Sequence, residues 1–137
     1  MIVVDANVLV FTLLQGEKTE QALKLRAHDP IWRVPAVWRY EFSNVLATYV
    51  RAAGMPEADS LRWLDQAMRS FAPLELDLNP RQALEMANRY RLTAYDAQYI
   101  ALAAVLGVPC VTEDGALRKK VPGLARSMSE ILTGPTS

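Results

Sequence analysis

The sequence predicts an α/β fold in which a mostly parallel central sheet carries helices on both faces. Short apolar runs, such as residues 1–4 and 108–112, have the length of buried strands. Longer amphipathic stretches with helical periodicity separate these runs, and that alternation is typical of parallel sheets. The 137 residues are 51% hydrophobic and 22% charged, which is enough to bury a core. We therefore expect residues 1–137 to form one domain.

The elements are bounded by recognisable start and stop signals. Gly54 and Gly107 are expected to end helices, and Asn79-Pro80 and Thr93 to begin them. The predicted elements are, in order, a strand at 2–5, a turn at Ala6-Asn7, a helix at 19–27, an extended segment at 32–35, a helix at 37–51, a helix at 56–71, a strand at 74–78, a helix at 80–90, a helix at 94–106, a strand at 109–112, a strand at 124–127 and a helical segment ending at Leu132.

Several classes of protein are excluded by composition. The single cysteine, Cys110, excludes a disulfide scaffold and a cysteine-based zinc site. The N-terminus lacks the basic region of a signal peptide and carries Asp5 in its first apolar run. The longest uncharged run, 97–112, is broken by Gly107 and Pro109, so no membrane span is predicted. We expect a cytoplasmic protein that does not contact a membrane.

Four acids occupy positions where apolar or plain loop residues would be ordinary. Asp5 and Asp114 each follow a predicted strand, whereas Glu41 and Asp96 lie on the apolar stripes of predicted helices. Buried carboxylates are costly unless a cation or hydrogen bonds compensate them. Ligands of open parallel sheets bind beyond the carboxyl ends of the strands. A convergent set of oxygen ligands suits Mg²⁺ or Mn²⁺, so the sequence predicts metal-dependent chemistry on a phosphate.

Each acid also has an ordinary structural alternative. Asp5 and Asp114 could simply begin turns. Glu41 could be a half-buried acid paired with an arginine. Asp96 could return a hydrogen bond to Thr93 in a capping box, which would not prevent metal binding.

Three further polar residues lie close to these acids in the sequence. Asn7 and Thr112 are each two residues from an acid, where they could orient a carboxylate or a water molecule. Glu113 lies between Thr112 and Asp114, and the sequence leaves open whether it is an additional ligand or an exposed residue.

Four stretches of the sequence together resemble one known family. They are IVVDANVL at 2–9, WRYEFSNVL at 38–46, TAYDAQYIALA at 93–103 and VPCVTED at 108–114. In order, spacing and context they are similar to the PIN-domain ribonucleases, most closely to the VapC-type toxins of prokaryotic toxin–antitoxin pairs, and the resemblance extends over residues 1 to about 127. It implies a PIN-like three-layer sandwich in which Asp5, Glu41, Asp96 and Asp114 form the metal cluster and Asn7 and Thr112 support it. Position 6 departs from the family because it is alanine, where threonine or serine is usual.

The resemblance also implies an activity and partners. The expected activity is hydrolysis of RNA phosphodiesters by an endoribonuclease that depends on Mg²⁺ or Mn²⁺. The expected partners are a second copy of the chain, in a homodimer, and a small VapB-type antitoxin whose C-terminal segment covers the site.

Three alternatives remain at the level of sequence. A haloacid-dehalogenase-like phosphatase would use Asp5 as nucleophile, although its second acid is replaced by Asn7. A non-enzymatic phospho-receiver domain would use Asp77 with Lys119 or Lys120, although it normally needs a pair of acids after its first strand. An inactive PIN-like binding module is disfavoured because all four acids are present.

Overall fold

Four short parallel strands form the centre of the fold. The computed structural model describes residues 1–134, so residues 135–137 of the predicted domain lie outside the described part. The strands are β1 (Ile2–Val4), β2 (Trp32–Arg33), β3 (Cys110–Val111) and β4 (Ala125–Arg126), in the order β2-β1-β3-β4. All three strand pairs are parallel. Strand β1 is buried along its whole length, as expected for an apolar strand at the centre of a parallel sheet. The predicted α/β class is confirmed.

Eight helices surround the sheet in the described part of the chain. They are α1 (Ala6–Leu13), α2 (Thr19–His28), α3 (Trp38–Ala53), α4 (Glu57–Phe71), α5 (Pro80–Tyr90), α6 (Ala94–Leu106), α7 (Gly115–Lys120) and α8 (Met128–Thr133). Helix α6 packs on β1 and β3 and also pairs with α5. Helix α1 contacts α2 and α3, α3 contacts α4, and α2 contacts α8.

The predicted helix boundaries are largely confirmed. Gly54 and Gly107 adopt left-handed backbone conformations at the ends of α3 and α6, with φ values of 73° and 69°. The side chains of Asn79 and Thr93 cap the starts of α5 and α6 by accepting backbone N–H groups. Polar caps and glycine stops were therefore reliable signals in this sequence.

Two helices were not predicted. The expected turn at Ala6-Asn7 is wrong, because helix α1 begins directly after Asp5, whose side chain accepts the backbone N–H of Ala6. Helix α7 likewise begins after Asp114, which accepts two backbone N–H groups. The same aspartates that resembled turn residues are helix caps.

The predicted strand at 74–78 is also wrong. Residues Ala72–Leu74 form a 3₁₀ turn, and only an isolated bridge joins Glu75 to Val34 beside the sheet. The Glu75 carboxylate accepts the Trp38 indole N–H at 2.7 Å and is paired with Arg39. These side-chain bonds hold the segment against α3.

A cluster of aromatic side chains lies in the core. Trp38 packs edge-to-face against Phe42 and Phe71, with ring centroids 6.0 and 5.6 Å apart. Tyr99 and Trp32 are buried as well. Within residues 1–134, no helix has the length and apolar character needed to cross a membrane.

Candidate active site

The register of the sheet brings two of the predicted site residues together. Val4 of β1 lies opposite Val111 of β3, and the backbone N–H of Asp5 donates to the Val111 carbonyl at 2.9 Å. The chain then turns into α1 after Asp5 and into α7 after Asp114. Both aspartates therefore lie at the carboxyl edge of the two central strands, where parallel sheets bind ligands.

All four predicted acids line one open cavity of about 800 Å³. Helix α3 contributes Glu41 from its first turn, and α6 contributes Asp96 from its first turn. Asn7 lines the same cavity, whereas Thr112 lies beneath it and is wholly buried. Carboxylates that are separated by tens of residues in sequence thus face a shared space.

Asp5 is the most deeply buried of the four acids, with 6% of its surface exposed. Its carboxylate accepts hydrogen bonds from the Ala6 backbone N–H at 2.7 Å, the Thr112 hydroxyl at 2.7 Å and, more weakly, the Asn7 amide at 3.4 Å. Burial raises the pKa of Asp5 to about 6, and the charges of Asp96 and Asp114 add to that rise. The hydrogen bonds oppose the rise but do not offset the loss of hydration.

Glu41 is half-buried and poorly compensated. Burial raises its pKa to about 7, with added repulsion from Asp5 and Asp96. Its Oε1 atom is buried and accepts no hydrogen bond. The Tyr99 hydroxyl approaches closely enough to lower the pKa of Glu41, but neither Glu41 Oε1 nor that hydroxyl completes a hydrogen bond. A buried carboxylate oxygen without a donor is the kind of group that a cation or bound water satisfies.

Asp96 and Asp114 present carboxylate oxygens to the cavity in different ways. The backbone N–H of Asp96 donates to Thr93 at 3.1 Å, but within residues 1–134 the Asp96 carboxylate makes no return bond, so the capping box is not closed. Burial raises the pKa of Asp96, and Asp114 adds to the rise. Asp114 caps α7 through its Oδ1 atom alone.

Thr112 connects the supporting residues. Its hydroxyl donates to Asp5 and accepts the backbone N–H of Asp114 at 3.1 Å, and the Asn7 amide lies 3.4 Å away. The Asn7 carbonyl oxygen in turn receives a long contact of 3.5 Å from the Glu113 backbone N–H. A single buried hydroxyl therefore fixes the relative positions of two of the four acids.

Glu113 is neither a ligand facing the cavity nor an exposed residue. Its carboxylate pairs with Lys18 at 2.8 Å and accepts the backbone N–H of Met128, the first residue of α8, at 2.9 Å. Only 11% of its side chain is exposed. Glu113 joins α8 and the segment before α2 to the end of β3.

Whether a divalent cation suits the cavity depends on the side-chain oxygens that line it. Within residues 1–134, no three His, Cys, Asp or Glu side chains stand in an arrangement that could by itself enclose a metal ion. Mg²⁺ is nevertheless usually held by one or two carboxylates and keeps several of its waters. The all-oxygen lining, the raised pKa values of Asp5 and Glu41, and the unpartnered Glu41 oxygen are compatible with a hydrated cation.

Sequence reasoning missed three residues beside the acids. Tyr40 and Tyr95 line the cavity with 78% and 62% of their surfaces exposed, and each directly precedes an acid in the sequence. That adjacency was the available signal. Lys120 lies close enough to Asp96 to oppose the rise in its pKa, a proximity that depends on α7, which was not predicted.

The chain combines a parallel sheet with an acidic cavity at the carboxyl ends of its strands. Comparison with known proteins shows to which family it belongs. Residues 2–121 match the PIN domain family, and the chain belongs to it. Together with the similarity to a protein named Ribonuclease VapC3, this match confirms the resemblance to VapC-type PIN ribonucleases and the PIN-like fold.

Individual relatives have the same fold over almost the whole chain. Ribonuclease VapC3 of Pyrobaculum aerophilum is 27% identical over 126 residues, which are 90% of this chain and 96% of that protein. The crystal structure of PAE2754 from Pyrobaculum aerophilum is similar with a TM-score of 0.73 and 27% identity, over 96% of this chain and 92% of that one. The crystal structure of FitAcB from Neisseria gonorrhoeae has a TM-score of 0.64 at 16% identity, over 94% of this chain and 99% of that one, and supports the fold alone.

Proposed function

We propose that this protein is an endoribonuclease that depends on Mg²⁺ or Mn²⁺ and acts as the toxin of a VapBC-type toxin–antitoxin pair. The observation that carries the proposal is the convergence of Asp5, Glu41, Asp96 and Asp114 on one open cavity. The similarity to a protein named as a ribonuclease supports the same activity. A divalent cation bound there would activate a water molecule and stabilise charge on the phosphoryl oxygens.

The roles we propose for the carboxylates follow from their surroundings. Asp5 is oriented by Thr112 and the Ala6 backbone N–H, so it would present a fixed oxygen to the cation. Asp96 and Asp114 would contribute oxygens that make no hydrogen bond within residues 1–134. Glu41 Oε1, which is buried and accepts no hydrogen bond, would hold a water molecule or accept its proton.

The walls of the cavity suit an unpaired RNA strand. Tyr40 lies on α3 and Tyr95 lies on α6, and both are exposed beside the acids that line the cavity. Aromatic side chains stack on bases of any sequence, but only where those bases are not already stacked in a duplex. We therefore propose single-stranded RNA or loops as the substrate class.

Two alternatives are less well supported. A haloacid-dehalogenase-like phosphatase needs a second acid two residues after its nucleophile, but Asn7 donates its amide toward Asp5 instead. A phospho-receiver domain would use Asp77, which is exposed outside the cavity in the segment that is not a strand.

Cleavage of an unstructured RNA labelled with a fluorophore and a quencher tests the proposal. We expect cleavage by the purified chain with Mg²⁺ or Mn²⁺, none in excess EDTA, and recovery when the metal is restored. Undiminished cleavage in excess EDTA would exclude the metal-dependent mechanism. Absence of cleavage with either metal would contradict the nuclease assignment.

We propose two protein partners, a second copy of this chain and a VapB-type antitoxin. An uninhibited ribonuclease would damage its own cell, so a specific inhibitor is expected. The acidic cavity attracts cations, and an arginine of the antitoxin could enter it in competition with metal. Breaking such a buried contact by removing one partner costs about 3–5 kcal/mol.

A further inference from the structure

A group of cations lies beside the acidic cavity. We define the basic edge as Arg91, Lys119 and Lys120, all three of which are exposed. Within residues 1–134 none of them forms an ion pair with an Asp or Glu side chain. The positive charges of the basic edge are thus available to a ligand.

One hydrogen bond joins the two parts of the basic edge. The Lys120 ammonium group donates to the Arg91 carbonyl at 3.1 Å, which holds the end of α7 against the end of α5. An ammonium group has three donors, so two remain free. Arg91 is two residues from Thr93, which lines the cavity, so this hydrogen bond places Lys120 near the cavity.

The position of the basic edge along the chain sets its distance from the acids. Lys120 follows Asp114 by six residues of helix, or about 9 Å along the axis. Arg91 precedes Thr93, a residue of the cavity wall, by two positions. The backbone of Arg91 and the ammonium group of Lys120 therefore lie beside the cavity wall.

The backbone at Arg91 provides an independent observation. Arg91 has a φ of 57° and is the only non-glycine residue with positive φ in the described part of the chain. It occupies the C-cap of α5, and the same position in α3 and α6 is glycine. Glycine adopts this conformation without strain, so arginine here adds a charged side chain at some conformational cost.

We propose that the basic edge binds the backbone phosphate next to the one that is cleaved, and so determines the side of the cavity along which the RNA strand runs. This inference rests on the proposed ribonuclease function. Lysine and arginine neutralise backbone phosphates without reading sequence, and each such contact makes binding weaker as salt rises. The basic edge would therefore add affinity and direction rather than sequence preference.

Substitutions at Arg91 separate the charge from the backbone strain. Arg91→Lys keeps the charge and the strain, Arg91→Gln loses the charge alone, and Arg91→Gly loses both. We expect the glutamine and glycine variants to bind single-stranded RNA several-fold more weakly, with a slope of log affinity against log salt that is shallower by about 0.7. Arg91→Lys should retain most of the affinity. Only Arg91→Gly should raise the thermal midpoint of unfolding.

The measurement is fluorescence anisotropy with labelled RNA at several salt concentrations, in an Asp5→Asn background that prevents cleavage. The control is Lys24→Gln, which removes one positive charge from α2, a helix that contributes nothing to the cavity. With active protein, KM should rise and kcat should hold. Inorganic phosphate at matched ionic strength should not displace the RNA, and displacement would overturn the assignment to the strand.

The proposal is overturned if Arg91→Gln and Arg91→Gly bind RNA with the affinity and salt slope of the Lys24→Gln control. That result would leave the ribonuclease function intact, provided that the unsubstituted chain cleaves RNA. A chain that cleaves no RNA with either metal would instead contradict the proposed function, independently of the basic edge.

Discussion

At the scale of single residues, the four acids differ in how much of their negative charge the protein compensates. Asp5 has three hydrogen-bond donors, and Glu41 Oε1 has none. In both residues burial still raises the pKa above its ordinary value. The cavity is thus arranged for a positive charge that these residues do not supply, and the ionised acids repel one another without it.

Neutralising any one of the four acids should lower cleavage severely. We expect Asp5→Asn, Glu41→Gln, Asp96→Asn and Asp114→Asn each to reduce turnover by more than the roughly 10–100-fold that losing a supporting partner costs. Metal-dependent cleavage of labelled RNA is the measurement, with circular dichroism as the test of folding. Asp77→Asn is the matched control, because Asp77 lies outside the cavity. An acid whose variant keeps near-normal turnover does not bind the catalytic metal.

Glu41→Gln should stabilise the metal-free protein at alkaline pH. The pKa of Glu41 rises from 4.5 in the unfolded chain to about 7 in the folded one. The folded state therefore holds the proton more tightly, and this contribution to stability is present below pH 4.5 and is lost as the pH rises through 7. Glutamine does not ionise, so the variant avoids that loss. Its free energy of unfolding at alkaline pH should be higher by about 1 kcal/mol, a value reduced to allow for solvent screening of a half-buried group.

Urea denaturation in EDTA at pH 5 and pH 8 measures this difference. The free energy of unfolding should fall more between the two pH values in the unsubstituted chain than in Glu41→Gln. Equal pH dependence in the two proteins would show that Glu41 does not titrate in this range.

At the scale of elements, the site is assembled from the first turns of helices. Asp5 and Asp114 cap α1 and α7, and Asp96 lies in the first turn of α6. Backbone N–H groups at helix N-termini favour negative charge, so each of these helix N-termini partly stabilises the charge of its carboxylate. The strands β1 and β3 then place two of these starts side by side.

Sequence reasoning found these acids because each interrupts an apolar pattern with its own local signal. It missed α1 and α7 because an aspartate after a strand has the same appearance whether it begins a turn or a helix. It predicted a strand at 74–78, where leucines alternate with acids, but it could not foresee the contacts of Glu75 with Trp38 and Arg39. Contacts between distant segments, including those of Glu113, leave no local pattern.

Glu113→Gln should weaken the attachment of α8 without abolishing cleavage. The substitution loses the ion pair with Lys18 and weakens the bond to the Met128 N–H, at a cost of about 1–2 kcal/mol. Chemical denaturation measures the cost, and Glu20→Gln, which breaks an exposed pair with Lys24, should cost less than about 0.5 kcal/mol. Loss of metal-dependent cleavage with unchanged stability would instead assign Glu113 to the catalytic site.

At the scale of the whole molecule, few of the large aromatic side chains are available to a dimer interface. Trp32, Trp38 and Tyr99 are buried in the core. Tyr49 remains 40% exposed, beside Val45 and Ala52 on α3. The expectation now rests mainly on the resemblance to VapC-type toxins.

We predict that the protein is a homodimer in solution. Light scattering at micromolar concentration should give twice the 15.3 kDa mass of one chain. Dilution should shift the mass toward that of one chain only at concentrations near the dissociation constant. A single species of 15.3 kDa at micromolar concentration would refute the prediction.

The strongest consequence for the whole molecule concerns the cell that makes it. The cavity is open, and the activity that we propose would need only a common divalent cation, so we predict that expression of the chain alone arrests growth. Expression of Asp96→Asn should be tolerated, because that variant should fold but not cleave RNA, and Asp77→Asn should remain toxic. Growth after induction and the integrity of total RNA are the measurements. Co-expression of an inhibitor that inserts a cation between Asp5 and Asp96 should restore growth and should be displaced by raised Mn²⁺ in vitro. Harmless expression of soluble, metal-loaded protein would contradict the assignment as a toxin. An inhibitor that leaves metal binding unchanged would contradict the proposed competition between antitoxin and metal.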